Sequence, residues 1–478
     1  MNRRDFLANS FFAAGLVASR AAISASAKSV DQPAIVVDVR TDHSIGSVPL
    51  DFMGFGYEIS SVARPGLLSG GDSIYMQMVR TLGARGVIRI GGNTSDYSGY
   101  SPNAAAVSSP HGTIVNDAVL KDLGGFLDAT GWSLIWGLNL GTGSEDEAVA
   151  EANAVLSVAG ERMLAFEIGN EPDLFAHQKH RKAEYSYEDW LAEYRRYKKA
   201  LRARFPRIAL AGPDAAVKTD WVTRFASDEG KDAVLLTHHY YREGQNPSST
   251  IEKLLGVDPK LQRQLDTMRA ASRSCDVPYR ICEVNSFSGG GRPGVSDTMA
   301  GALWALDYMF TLAANGCSGV NIETGVNQLG FLSSYSPIGE SEQGHPIAKA
   351  EYYGMLAFSL AGHGDLLQTD IYASSPDIKA YAIRPGVRTP GNALTLTLIN
   401  KGAGTSALTV KTGVQGKKAS LMELTGPAID AKTGITLGRA EVTSAGTWKP
   451  AKSDVLQLRN GQLNIKLAAA SAAIVQIA

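Results

Sequence analysis

The sequence predicts an α/β protein, a (β/α)8 TIM barrel with an appended C-terminal antiparallel β-sandwich domain, and three observations carry that expectation. The chain has 478 residues, beyond the roughly 250–300 at which a single hydrophobic core stops growing. From about residue 50 to 325, short apolar β-rich runs alternate with helix-like stretches, as in a parallel sheet built from βα units. After about residue 365 helical spacing disappears, and alternating runs stand between Gly, Asn, Thr and Pro turns, as in an antiparallel sandwich. The expected divisions are 1–27, 28–45, 46–364 and 365–478.

The first division reads as an export signal. Arg3-Arg4-Asp5-Phe6-Leu7 is a twin-arginine pattern, Phe11 to Val17 is a short apolar run, and Ala25-Ser26-Ala27 has the small-residue form of a cleavage site. The apolar run is too short for a bilayer, which needs about 20 residues. Maturation near Lys28 and a periplasmic or secreted product are expected. Next, Ala34–Arg40 (AIVVDVR) is a candidate strand ahead of the barrel, expected to join the sandwich.

Eight candidate barrel strands follow: Phe52–Tyr57, Val87–Ile90, Ser133–Leu138, Leu164–Ile168, Ile208–Ala211, Val234–His238, Tyr279–Cys282 and Val320–Ile322. Among the spacers, 186–205 shows helix signals well. Ser186 with Asp189 three residues on resembles a capping box, and Pro206 ends the run. Arg195, Arg196, Lys198 and Lys199 read as its solvated face. Ala393–Ile399, Ser406–Lys411 and Leu463–Leu467 are candidate sandwich strands.

Composition narrows the function. A formal net charge of −1, with 44% hydrophobic and 19% charged residues, gives no positive field to draw nucleic acid, an anionic membrane or a sulfated polyanion. Recognition of a negative substrate must therefore be local. Cys275, Cys282 and Cys317 are an odd count without C-x-x-C spacing, so free thiols are expected rather than a disulfide framework or cysteine zinc site. No H-E-x-x-H spacing is present. The expectation is no metal and no cofactor, a carbohydrate substrate, and a monomer or weak oligomer.

Active sites of such barrels are built at the C-terminal ends of the strands, so polar residues closing an apolar run are the candidates. Glu171, in Phe166-Glu167-Ile168-Gly169-Asn170-Glu171-Pro172, follows the fourth candidate strand. A carboxyl partly buried there has a raised pKa and suits an acid, and Asn170 offers an amide for a sugar 2-hydroxyl. Glu283, in Tyr279-Arg280-Ile281-Cys282-Glu283-Val284-Asn285, closes the seventh. Strand alternation aims it inward if Cys282 faces the helices. Two such carboxylates are what a retaining glycosidase needs, one to protonate the leaving oxygen and one to attack the anomeric carbon.

The chain resembles glycoside hydrolase family 79, the heparanase-like β-glucuronidases. The similar segments are FGYEIS at 55–60, IRIGGNTSD at 88–96, FEIGNEPD at 166–173, HHYY at 238–241, ICEVNSFSGGG at 281–291 and YYGML at 352–356. Asn-Glu-Pro alone marks a wider clan of barrel glycosidases; HHYY and the serine- and glycine-rich loop are more specific. The resemblance implies a barrel with an appended sandwich, Glu171 as general acid/base and Glu283 as nucleophile. It implies that Glu58 and Asn93 hold sugar hydroxyls, that His238 and Tyr240 point into the site with Tyr240 on Glu283, and that Gly289, Gly290 and Tyr335 bind the uronate carboxylate. Consecutive glycine N–H groups form an anion nest without side-chain bulk. One departure weakens that clamp: Ser288 stands where the heparanases carry a tyrosine, with Arg292 just past the glycines.

The function so implied is a retaining exo-β-glucuronidase. Its alternatives are a barrel glycosidase for a neutral sugar, of the arabinofuranosidase or xylosidase type, and an endo-acting heparanase-like enzyme, for which the composition supplies no excess of Lys and Arg. A carbohydrate-binding barrel without catalysis is opposed by the two intact glutamates.

Overall fold

The protein is described here by a computed structural model that covers residues 35–329, 331–372, 377–386, 393–415 and 418–478. Residues 1–27, read from sequence as an export signal, lie outside the described residues. Eight parallel strands form the barrel, Gly54–Glu58, Val87–Gly91, Ser133–Leu138, Met163–Ile168, Ala211–Ala215, Leu235–Tyr241, Tyr279–Asn285 and Val320–Glu323. Each pairs with its neighbours in chain order, and the eighth returns to the first with Ile322 opposite Phe55. Fourth and fifth strands meet through a parallel bridge between Phe166 and Leu210.

Period-two alternation divides each strand between helices and barrel interior. Val87, Ile135, Ala165, Ala211, Leu235 and Cys282 form an apolar interior cluster. Cys282 thus faces inward, contrary to the condition set for Glu283. Glu283 still reaches the interior because the seventh strand shifts register between Ile281 and Glu283 against the sixth strand, and between Ile281 and Val284 against the eighth. A bulge of this kind adds a residue and resets the alternation.

The fifth strand also departs from the sequence expectation. It runs Ala211–Ala215 (AGPDA) rather than Ile208–Ala211. The apolar run is its approach, and the strand proper contains Pro213 and Asp214, which β propensity disfavours. The helix Tyr187–Arg204 starts at Ser186 with a complete capping box to Asp189. Arg195, Arg196 and Lys199 on its basic face are exposed as expected, with Arg195 and the more covered Lys198 pairing with the buried Glu229 and Arg196 with Glu145.

A ten-stranded second sheet contains Leu394–Asn400, Ser406–Lys411, Gln462–Leu467 and Ser471–Ile477. The N-terminal strand Ile35–Val48 lies inside it, antiparallel to Gly364–Tyr372 and parallel to Ser406–Lys411. One face encloses a core of Val37, Leu396, Leu398, Leu463, Val475 and others. Ile399, Ala472 and Ile474 point the other way and join the barrel's own core. Two barrel helices receive them, Met299–Ala314 and Ala350–Ala361, which are buried almost all round because strand and sheet cover both sides. The three cysteines are free. Among the described residues no helix is long and apolar enough to cross a membrane.

Candidate active site

The strand ends converge on a cavity of about 530 Å³ whose wall includes Glu58, Asn93, Glu171, His239, Tyr241, Glu283, Ser288, Gly289, Gly290, Glu323 and Tyr335. Glu171 sits just past the fourth strand in a left-handed conformation, φ 52° and ψ 48°. Its N–H donates to the Asp214 carbonyl at 3.0 Å. Such a conformation is uncommon for a residue with a Cβ, and here it turns the carboxyl into the cavity. Glu171 Oε1 lies 3.0 Å from His239 Nδ1. Glu283 takes 2.8 Å from Arg89 Nη1 on one oxygen and 3.0 Å from the Tyr241 hydroxyl on the other. One ligand atom each of Glu171, His239 and Glu283 lie within 4.8 Å of one another, so the two carboxyls face each other at close range.

Beneath them is a buried ion cluster. Arg89, wholly buried, donates to Glu167 at 3.0 Å, Asp214 at 2.7 Å and Asn170 Oδ1 at 2.8 Å as well as to Glu283. A buried guanidinium is tolerable only when its donors are used in this way. His239 Nε2 lies 2.9 Å from Asp214 Oδ1. Burial opposes charge on His239, but Asp214 and Glu283 outweigh it and lift the imidazole well above its ordinary pKa. Glu171 sits on its Nδ1 and Asp214 on its Nε2, so both ring nitrogens have a carboxyl partner. Burial likewise opposes ionisation of Asp214, yet His239 and Arg89 hold that carboxyl below the usual range. Burial raises Glu171, reinforced by the charge of Glu283 and opposed by His239. The same desolvation, with Glu283 adding to it, lifts Glu58 to about 7. Arg89 already supplies positive charge at Glu283, and carboxyls already engage both nitrogens of His239, which makes the trio of Glu171, His239 and Glu283 a poor metal cradle despite its spacing.

Glu58 is fixed by the Asn93 and Thr94 N–H groups at 3.1 and 2.8 Å and by the Thr94 hydroxyl at 2.6 Å. Asn170 lies below the cavity, 1% exposed, with its Nδ2 3.4 Å from Asn93 Oδ1. Gly289 and Gly290 have φ of 81° and 89°. Their loop is pinned through its carbonyls, Ser288 O accepting from Gln245 N at 3.0 Å and Gly290 O from Ser334 N at 2.8 Å. The N–H groups of Gly289 and Gly290 have no partner among the described residues. Tyr335 is buried beside them, its ring 6.4 Å from that of Tyr241.

His238 and Tyr240 do not line the cavity. The sixth strand alternates in the opposite phase: His238 Nδ1 lies 2.9 Å from Gln264 Nε2, on the helix Pro259–Cys275. Tyr240 donates to Asp258 at 2.6 Å and stacks on Tyr308 at 5.3 Å. His239 and Tyr241 take the expected places. The doubled letters of HHYY give the same residue types in either phase, so the segment itself could not choose between them. Arg89, Asp214 and Glu323 were also missed; a charge inside an apolar run was the available signal.

No protein-family model matches the chain. It is similar to a β-glucuronidase of Aspergillus niger, 26% identical over 401 residues that cover 76% of this chain and 72% of the other. Among solved structures, a 4-O-α-L-rhamnosyl-β-D-glucuronidase of Fusarium oxysporum superposes with a TM-score of 0.77 at 17% identity, over 92% of this chain and 100% of that one. An α-L-arabinofuranosidase of Thermotoga petrophila gives 0.68 at 13% identity, over 93% and 100%. Two facing carboxyls at the mouth of such a barrel, on a chain with these relatives, make this a glycoside hydrolase.

Proposed function

We propose that the protein is a retaining exo-β-glucuronidase of glycoside hydrolase family 79. The observation that carries this reading is a carboxyl pair with one oxygen of each within 4.8 Å of the other, beside two glycine N–H groups on a left-handed loop that have no partner among the described residues. Carboxyls about 5–5.5 Å apart suit retention, whereas inversion needs about 6.5–9.5 Å to admit a water. Glu283, held by Arg89 and Tyr241, is the nucleophile; Glu171, raised by burial, is the acid.

In the first step a Glu283 oxygen bonds to the anomeric carbon as the glycosidic C–O bond breaks, and Glu171 gives its proton to the leaving oxygen. In the second, the Glu171 carboxylate takes a proton from water, the water oxygen bonds to the anomeric carbon, and Glu283 leaves as carboxylate. The Gly289 and Gly290 N–H groups with Tyr335 receive the sugar carboxylate. The similarity to a β-glucuronidase supports this assignment.

Matched 4-nitrophenyl β-glucuronide, β-glucoside, β-xyloside and α-arabinofuranoside test it. The glucuronide should be clearly preferred, β-glucuronic acid should be the first anomer seen by proton NMR, and Glu283→Gln should abolish turnover. Cleavage of a neutral sugar alone would retire the uronate assignment and implicate Ser288. An initial α anomer would refute retention.

A further inference from the structure

Glu323 closes the eighth barrel strand and belongs to no part of the two-step reaction. It is 3% exposed, yet it forms part of the cavity wall. Among the described residues neither of its oxygens has a side-chain hydrogen-bond partner, and of backbone groups only the Gly325 N–H acts to favour its charged form. A buried carboxyl without side-chain partners costs free energy, and the cost makes sense where a ligand supplies the partner. Its position is tightly prepared: a Cβ on Gly56 would stand 2.7 Å from Glu323 Oε2, so glycine in the first strand leaves room for the carboxyl.

The groups acting on Glu323 are mostly acidic. Glu58 and Glu283 add negative charge from the first and seventh strands, and Arg89 opposes them from the second. Tyr241 and Tyr335 are the phenols beside it in the cavity, with the Tyr57–Tyr75 hydroxyl pair outside the first strand. Burial comes first and the two carboxylates next in raising Glu323 well above an ordinary glutamate. Like charges this close do not all ionise. A uronate entering the same cavity adds another negative charge.

Resting on the proposed uronate specificity, we infer that Glu323 is a further glycone-binding residue, whose carboxylic acid donates a hydrogen bond to the carboxylate of the bound sugar. An acid–carboxylate hydrogen bond is short and strong. It would supplement the Gly289 and Gly290 N–H groups and offset the missing tyrosine at Ser288. An uncharged sugar has no carboxylate to receive that bond, so Glu323 would discriminate between the two.

The experiment compares Glu323→Ala and Glu323→Gln with the parent, measuring kcat and KM on 4-nitrophenyl β-glucuronide and β-glucoside from pH 5 to 9. Glu323→Ala should raise KM for the glucuronide by about 10–100-fold, with kcat and the glucoside much less affected. Glu323→Gln keeps a donor in its amide and should restore most of the affinity. The parent's glucuronide KM should rise at alkaline pH as the acid proton is lost, and that of Glu323→Gln should stay flat. An unchanged KM in Glu323→Ala, or equal losses on both substrates in both variants, would overturn the inference while leaving the glucuronidase assignment standing. A parent that ignores glucuronides overturns both.

Discussion

Tyr240 and Tyr241 are adjacent and chemically identical, yet one residue of phase separates a packing role from a place beside the reacting carboxylate. Tyr241 donates to Glu283 at 3.0 Å, while Tyr240 donates to Asp258 behind the sheet at 2.6 Å. Removing a hydrogen bond to an ionised partner costs about 1.5–3 kcal/mol. Tyr241→Phe should therefore lower kcat on the glucuronide by about 10–100-fold. Tyr240→Phe should leave kinetics unchanged and lower only thermal stability. The reverse result in steady-state assays would place the nucleophile's partner on the wrong tyrosine. This pair also marks what the sequence could reveal at the residue scale. Glu171 and Glu283 were legible because each ends an apolar strand, where barrel chemistry belongs. The phase of HHYY was not, since both phases present a histidine and a tyrosine. The bulge beside Glu283 was not either, since nothing in Ile281-Cys282-Glu283 signals an inserted residue.

At the scale of the element, seven of the eight barrel strands were legible from apolar runs, and the fifth was displaced because its own residues, AGPDA, are poor strand formers. What holds that segment is tertiary: the Asp214 N–H donates to the Thr237 hydroxyl at 2.9 Å, and its carboxylate meets Arg89 and His239. The helix Glu145–Ala159 shows a related tension. Its inward Glu151 is 3% exposed and accepts from Trp136 Nε1 at 2.8 Å. Burial lifts its pKa to about 7 from an ordinary value near 4.5. Because the folded value lies above the unfolded one, the protonated form's stability is fully present below about pH 4.5 and is lost as pH rises through 7. Glu151→Gln, which cannot ionise, should match the parent near pH 4 and exceed it at pH 8 by about 3 kcal/mol. Thermal melts at the two pH values read this directly. A constant gap between the proteins would show that Glu151 does not titrate on unfolding.

Across the described molecule, barrel and second sheet share a core. The strand Ile35–Val48, ahead of the barrel in the chain, lies within the sheet formed mostly by residues after 364. The sheet then covers Met299–Ala314 and Ala350–Ala361, whose all-round apolar surfaces would otherwise meet water. Polar bonds register the contact: Asp307, on the first of these helices, accepts from Tyr381 at 2.6 Å and pairs with Lys401 at 2.7 Å. Lys401 is mostly buried, its side chain 8% exposed, so removing its partner strands a charge. Two bodies joined by so much apolar surface should melt together. Calorimetry should show one transition for the whole chain. Asp307→Ala should lower stability by about 2–4 kcal/mol and shift that transition intact, with kcat unchanged because the interface lies on the outer side of the barrel. If Asp307→Ala instead splits the melt into two transitions, the barrel stands without the sheet, and the shared core is a contact between independent domains rather than the foundation under the eighth strand and its end, Glu323.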